Sequence, residues 1–187
     1  SNLMLLGPRD CALEISAAKK TFLDAVQNKS SFLTAAHYLF VRSIRKLTLR
    51  FNGILWQGDK NINKIGSIIE EINEYLEQVD VERPVPPFEN LEKICTNLEK
   101  LCLKLENEFL YDSIPINQIR NLEEWAYKKS DDGKKTVILE NSERMSQNVR
   151  NALLKILEEP PEDCVFILLT SNRNAIMQTI LSRVRTY

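Results

Sequence analysis

The chain has no Cys-x-x-Cys pair, one histidine, no apolar run of membrane-spanning length and almost no net charge. Each shortage removes a class of function. Its four cysteines, Cys11, Cys95, Cys102 and Cys164, are scattered, and Cys95, Cys102 and Cys164 fall at apolar positions. That pattern predicts reduced, buried thiols in place of a disulfide framework or a metal centre. His37 has no second ligand nearby in the sequence and reads as structural. A net charge of −1 gives no global attraction to nucleic acid, so any such binding needs a local patch. Without a signal peptide or a span of about 20 apolar residues, the expectation is a soluble, cytoplasmic protein with no membrane partner. No repeat or low-complexity segment is visible, and 187 residues suit one domain, or one domain with an insertion.

A phosphate-binding loop is missing too, although the opening invites one. Leu3-Met4-Leu5-Leu6-Gly7-Pro8 looks like a strand running into such a loop. A working loop needs Gly-x-x-x-x-Gly-Lys-Ser/Thr, so that backbone amides cradle the phosphates, the Lys reaches the outer ones and the hydroxyl holds magnesium. Counting from Gly7 puts Ala12, Leu13 and Glu14 where Gly, Lys and Ser/Thr would stand. A carboxylate there repels a triphosphate. Either the loop has degenerated in place or the sequence begins after it.

What is present is a strand, a helix and a strand. Thr136-Val137-Ile138-Leu139 follows the turn-like Ser130-Asp131-Asp132-Gly133 and is apolar on both faces, as a central parallel strand must be. After Glu140-Asn141-Ser142-Glu143, Ser146 starts a helix through Glu158, with Val149, Ala152, Leu153, Ile156 and Leu157 at helical spacing and Pro160-Pro161 as its stop. Cys164 to Leu169 is the second apolar strand. It delivers Thr170-Ser171-Asn172 to a strand's carboxyl end, where open α/β sheets bind ligands.

The residues between are helical. Ala12 to Gln27 lines one face with Ile15, Ala18, Phe22 and Val26. The next helix, begun at Ser30 or Ser31, buries Leu33, Ala36, Phe40, Ile44, Leu47 and Phe51, while Arg42, Lys46 and Arg50 step by four on another face as a basic stripe. That stripe is either a solvated face or a contact for a DNA backbone or an acidic partner. Asn61 starts a third helix, with Ile62, Ile65, Ile69, Ile72, Leu76 and Val79 inside and Glu70, Glu71, Glu74 and Glu77 outside. A fourth runs from about Asn90 to Tyr111 on a seam of Leu91, Ile94, Leu98, Leu101, Leu105 and Phe109. A fifth begins beyond Ile114 and buries Ile119, Leu122, Trp125 and Ala126.

Asn151-Ala152-Leu153-Leu154-Lys155-Ile156-Leu157-Glu158-Glu159-Pro160-Pro161, followed by Thr179-Ile180-Leu181-Ser182-Arg183, closely resembles the AAA+ clamp-loader subunits of bacterial DNA polymerase III. Within that family the likeness is greatest to the delta-prime type, and it extends from Ile114 onward. The resemblance implies an α/β fold: a fragment of an AAA+ P-loop-type parallel sheet flanked by helices. Its core would comprise residues 1–10 and 113–187, lacking the Walker A part, with a large helical insertion over 11–112. It also implies that the strand ending at Leu139 matches the Walker B strand, whose Asp and Glu read here as Glu140 and Asn141. Glu140 reaches one methylene too far for the same magnesium geometry, and the Asn141 amide cannot take a proton from water. Thr170, Ser171 and Asn172 fall at the family's nucleotide sensor. The family's arginine finger is the Arg of a Ser-Arg-Cys motif, kept here as Ser182-Arg183 with Val184 in place of the Cys. Relatives commonly carry a four-cysteine zinc module, whose spacing is absent here, so no metal is expected. The long separation from Gly7 to the Walker B strand favours a sequence that begins after the loop.

The function the resemblance implies is a non-hydrolysing, delta-prime-like subunit in DNA replication that donates Arg183 in trans to a neighbour's ATP site during sliding-clamp loading. ATP and magnesium would belong to that neighbour and not to this chain. The partners implied are gamma/tau-type and delta-type subunits, the sliding clamp and primer-template DNA, in a hetero-oligomer. Two alternatives stand beside it: a truncated gamma-type ATPase subunit, against which Glu140-Asn141 speaks, and a helical interaction or nucleic-acid-binding module on a defunct AAA+ scaffold, against which Ser182-Arg183 speaks.

Overall fold

The computed structural model describes residues 2–129 and 133–187. Of the turn expected at Ser130-Asp131-Asp132-Gly133, the first three residues lie outside the described residues, and Gly133 has φ 96°, a left-handed backbone that glycine adopts without a Cβ penalty. In chain order the elements are β1 (Leu3–Leu6), α1 (Ala12–Gln27), α2 (Leu33–Leu49), α3 (Ile62–Gln78), α4 (Phe88–Phe109), α5 (Ile116–Tyr127), β2 (Lys135–Leu139), α6 (Gln147–Glu158), β3 (Cys164–Leu168) and α7 (Gln178–Leu181). They form two compact units. One holds the residues up to Pro8 with Arg50–Asp59 and Tyr111–Tyr187, and the other Arg9–Leu49 and Lys60–Leu110.

The first unit is built on a three-stranded sheet of order β1-β2-β3, parallel throughout. Leu3 pairs with Thr136 and Leu6 with Leu139, while Lys135 pairs with Cys164 and Leu139 with Leu168. This register brings all three carboxyl ends to one edge. Met4, Leu6, Val137 and Leu139 are buried. The β3 run is apolar throughout, yet Val165 and Ile167 are 46% and 40% exposed. Their alternation follows from strand geometry: β3 is the outer strand of the described sheet, and only one of its faces is covered.

Lys135 opens β2 as a buried lysine, which is unusual for its type. Its ammonium donates to the carbonyls of Trp125 at 2.6 Å, Ala126 at 3.2 Å and Lys128, and it lies 4.9 Å from the Trp125 ring centroid. A cation thus satisfies the carbonyls at the end of α5, where the helix dipole favours positive charge. The segment Arg50–Asp59, read from sequence as part of the helical stretch, belongs to this unit. Phe51 stacks on Trp56 at 5.1 Å, and the Asn121 amide on α5 donates to the carbonyls of Leu55 at 3.0 Å and Gln57 at 3.1 Å.

In the second unit α1 packs on α2 and α4, and α4 also on α3. The amphipathic spacing accounts for this. Ile15 and Phe22 on α1, Phe40 and Ile44 on α2, Ile65 and Ile72 on α3, and Leu91, Leu98 and Leu105 on α4 are all buried. His37 is buried, stacks on Phe22 at 4.4 Å and hydrogen-bonds the Val79 carbonyl through Nε2 at 2.7 Å, which is a structural role. Burial pushes the Cys95 and Cys102 thiols up to about 12, so neither is a ready nucleophile. Among the described residues no His, Cys, Asp and Glu group could hold a metal ion, and no helix is long and apolar enough to cross a membrane.

Candidate functional site

The carboxyl edge of the sheet carries the residues that sequence singled out, and a β2 strand ending at Leu139 delivers them. Glu140 donates its backbone N–H to the Leu6 carbonyl at 2.9 Å, and the chain then turns at Asn141, whose φ of 49° and ψ of 49° are left-handed. Asn tolerates that conformation better than Glu, since its short amide side chain suits a single left-handed residue. The turn is fixed on both sides. Ser142, fully buried, donates its hydroxyl to the Leu139 carbonyl at 3.0 Å and its N–H to the Leu169 carbonyl at 2.9 Å.

Arg50 lies at this edge, buried, and not on the basic stripe where sequence spacing placed it. Its side chain is 1% exposed, its Nη2 forms an ion pair with Glu140, and its Nη1 donates to the Pro8 carbonyl at 2.5 Å. The Trp56 indole N–H donates to the Arg50 carbonyl at 2.9 Å. Gly7 is needed for this approach, because a Cβ there would come within 2.8 Å of the guanidinium carbon. Arg50 leaves the stripe for a physical reason. α2 ends at Leu49, so the four-residue step that places Arg42 and Lys46 on one helix face no longer governs Arg50. Of the other two, Arg42 is exposed, and Lys46 is paired with Glu14 at 2.9 Å.

Magnesium and a triphosphate do not fit this edge. Glu140, read from sequence as a Walker B remnant, is already matched by a guanidinium, and Gly7 is packed against that same group. A metal would have to displace a buried cation from Glu140, and Asn141 offers only a neutral amide beside it.

Thr170, Ser171 and Asn172 come to the same edge, as expected for the end of β3. The Thr170 hydroxyl donates to Glu143 Oε2 at 2.6 Å, the Ser171 hydroxyl to Glu143 Oε1 at 3.0 Å, and the Asn172 N–H to Thr170 Oγ1 at 3.1 Å. Desolvation works against the Glu143 charge, but the two hydroxyls and local backbone N–H groups outweigh it and hold the carboxyl below the ordinary carboxylate range. Glu143 therefore ties the loop after β2 to the loop after β3. Sequence reading quoted Glu143 only as a strand-ending polar residue, and no local signal marked it as the partner of both hydroxyls.

Arg183 lies apart from Arg50 in character. It follows α7, whose last residue is Leu181, and Ser182 closes that helix by donating its hydroxyl to the Thr179 carbonyl at 3.0 Å. The guanidinium is 31% exposed; Nη1 donates to the Thr179 carbonyl at 2.6 Å and Nη2 to Glu158 Oε1 at 2.7 Å. Glu158 ends α6 and its side chain is 53% exposed. So one arginine is buried and committed to the sheet, and the other is presented to solvent with a single weak carboxylate partner.

A family model described as DNA polymerase III, delta subunit, matches residues 59–187, a range that takes in α3 and α4 as well as the α/β elements from α5 onward. The chain is 39% identical to DNA polymerase III subunit delta' of Pseudomonas aeruginosa over 71 residues, 37% of this chain and 22% of that protein. It is 37% identical to the delta' subunit of Bacillus subtilis over 75 residues, 40% of this chain and 23% of that one. A third similarity, 45% over 53 residues, is to DNA polymerase III subunit tau of Bacillus subtilis and covers 28% of this chain and 9% of the relative. The matches thus span under a quarter of the length of these curated relatives. No solved structure matches the chain significantly.

Proposed function

We propose that this chain, which belongs to the DNA polymerase III delta subunit family, is a clamp-loader subunit of delta-prime type that hydrolyses no ATP itself and supplies Arg183 to the ATP site of a neighbouring subunit. The observation that carries this reading is the contrast between the two arginines: Arg50 neutralises Glu140 at the sheet edge, while Arg183 stays accessible beside α7. A carboxylate already paired with a buried guanidinium is poorly suited to hold magnesium, and Asn141 cannot activate water.

Arg183 offers the chemistry that phosphoryl transfer lacks in a neighbour. Charge spreads over the transferred phosphoryl oxygens in the transition state, and a planar guanidinium fork matches two of them at once. Ser182 caps α7 and so sets where the Arg183 side chain begins. ATP and magnesium then belong to the adjoining gamma/tau-type subunit. A delta-type subunit, the sliding clamp and primer-template DNA complete the assembly in the cytoplasm. On this reading the AAA+ sheet fragment is a platform for Arg183, and α1 to α4 form a helical addition to it.

Reconstitution tests the proposal. Mixing this protein with ATP-binding clamp-loader subunits should give a stable complex whose ATP turnover exceeds that of the ATP-binding subunits alone, while the protein alone turns over nothing. Turnover by the protein alone, or a complex no faster than its partners, would overturn it.

A further inference from the structure

We propose that Glu158 is a latch for Arg183, holding the guanidinium within its own chain and neutralising it until the polyphosphate of a neighbour's nucleotide competes the carboxylate away. The inference rests on the finger reading above and adds the residue that regulates it. Both terminal nitrogens of Arg183 are engaged inside the chain, Nη1 by the Thr179 carbonyl and Nη2 by Glu158. The two contacts differ in kind. The carbonyl lies within α7 and only orients the fork, whereas the carboxylate cancels the charge that would act on a phosphoryl oxygen.

Exposure makes the latch releasable. Glu158 and Arg183 are 53% and 31% exposed, so the pair sits in water, where such ion pairs hold weakly and are screened by salt. The Arg50–Glu140 pair, at 1% and 16% exposure, is the opposite arrangement and stays closed. A triphosphate presents several charges and two oxygens to the fork, and it therefore wins over one solvated carboxylate oxygen. Glu158 is a positioning residue, acting only through Arg183.

Glu158→Gln keeps the side chain's size and its acceptor oxygen while removing the charge. Single-turnover ATP hydrolysis in the reconstituted complex is the measurement, made for wild type, Glu158→Gln, Arg183→Ala and the double variant. At low salt Glu158→Gln should speed hydrolysis about two- to fivefold, the range expected from losing an exposed ion pair. The gain should shrink toward unity as salt is raised and should vanish in the Arg183→Ala background. A Glu158→Gln complex no faster than wild type at low salt, with Arg183→Ala still slow, overturns the latch and leaves the finger standing. The same gain in both backgrounds also overturns it, since Glu158 would then act without Arg183. An Arg183→Ala complex as fast as wild type removes the finger and the latch together.

Discussion

Arg183→Ala is expected to slow ATP turnover at the adjacent site of an assembled clamp loader by about a thousandfold, within the range that a trans-acting arginine supplies in phosphoryl transfer. Folding and assembly should survive the change. The side chain is partly exposed, and its ion pair with Glu158 is worth at most about 1 kcal/mol in solvent. Arg183→Lys should recover little of the rate, because an ammonium supplies charge without the planar fork that spans two phosphoryl oxygens. Thermal unfolding of the free protein and co-elution of the complex separate loss of chemistry from loss of structure. Turnover and clamp loading at wild-type levels with the complex intact would reduce Arg183 to a surface charge.

Arg50→Ala should act in the reverse way, on stability. It deletes one of the largest fully buried side chains, the partner of Glu140 and a donor to the Pro8 carbonyl, all at the edge where three strands end. Removing one member of a buried pair costs about 3–5 kcal/mol, because the remaining charge loses its match. Arg50→Met, which restores apolar volume against Gly7, should cost less than Ala only if cavity formation contributes. Urea unfolding reads the effect as a lower midpoint at an unchanged slope. A loss under about 1 kcal/mol would mean that Arg50 is not what closes the sheet edge.

Much of this was legible in the sequence where local periodicity decides structure. α1 spans Ala12–Gln27 as its apolar spacing predicts, α6 runs to Glu158 before the paired prolines, and the buried face of α5 is the expected Ile119, Leu122, Trp125 and Ala126. Ser146 precedes α6 as read, though its side chain makes no capping hydrogen bond. The α4 helix starts at Phe88, two residues earlier than expected, because Pro87 is accepted just before a helix start, and it ends at Phe109. Contacts between distant segments were not legible. The pairing of Leu3–Leu6 with Thr136–Leu139 leaves no local trace, and neither does the Lys135 ammonium on the carbonyls that end α5.

The site divided along the same line. The placement of Thr170 to Asn172 and Glu140-Asn141 at the sheet's carboxyl edge was legible because strands deliver polar residues at their carboxyl ends. Arg50 was misplaced because a four-residue step looks the same in sequence whether or not the helix continues, and Leu47 and Phe51 around it hint at burial only in retrospect. Glu143 and Glu158 escaped notice because each works through a partner 27, 28 or 25 residues away, a separation that no periodic pattern encodes.

That this chain holds no nucleotide of its own is the central claim, and calorimetric titration of the protein with ATP and magnesium tests it most directly. The Arg50–Glu140 pair, with Leu13 and Glu14 standing where a phosphate loop carries its Lys and hydroxyl, predicts no saturable heat through the micromolar range. Stoichiometric micromolar binding would contradict the account.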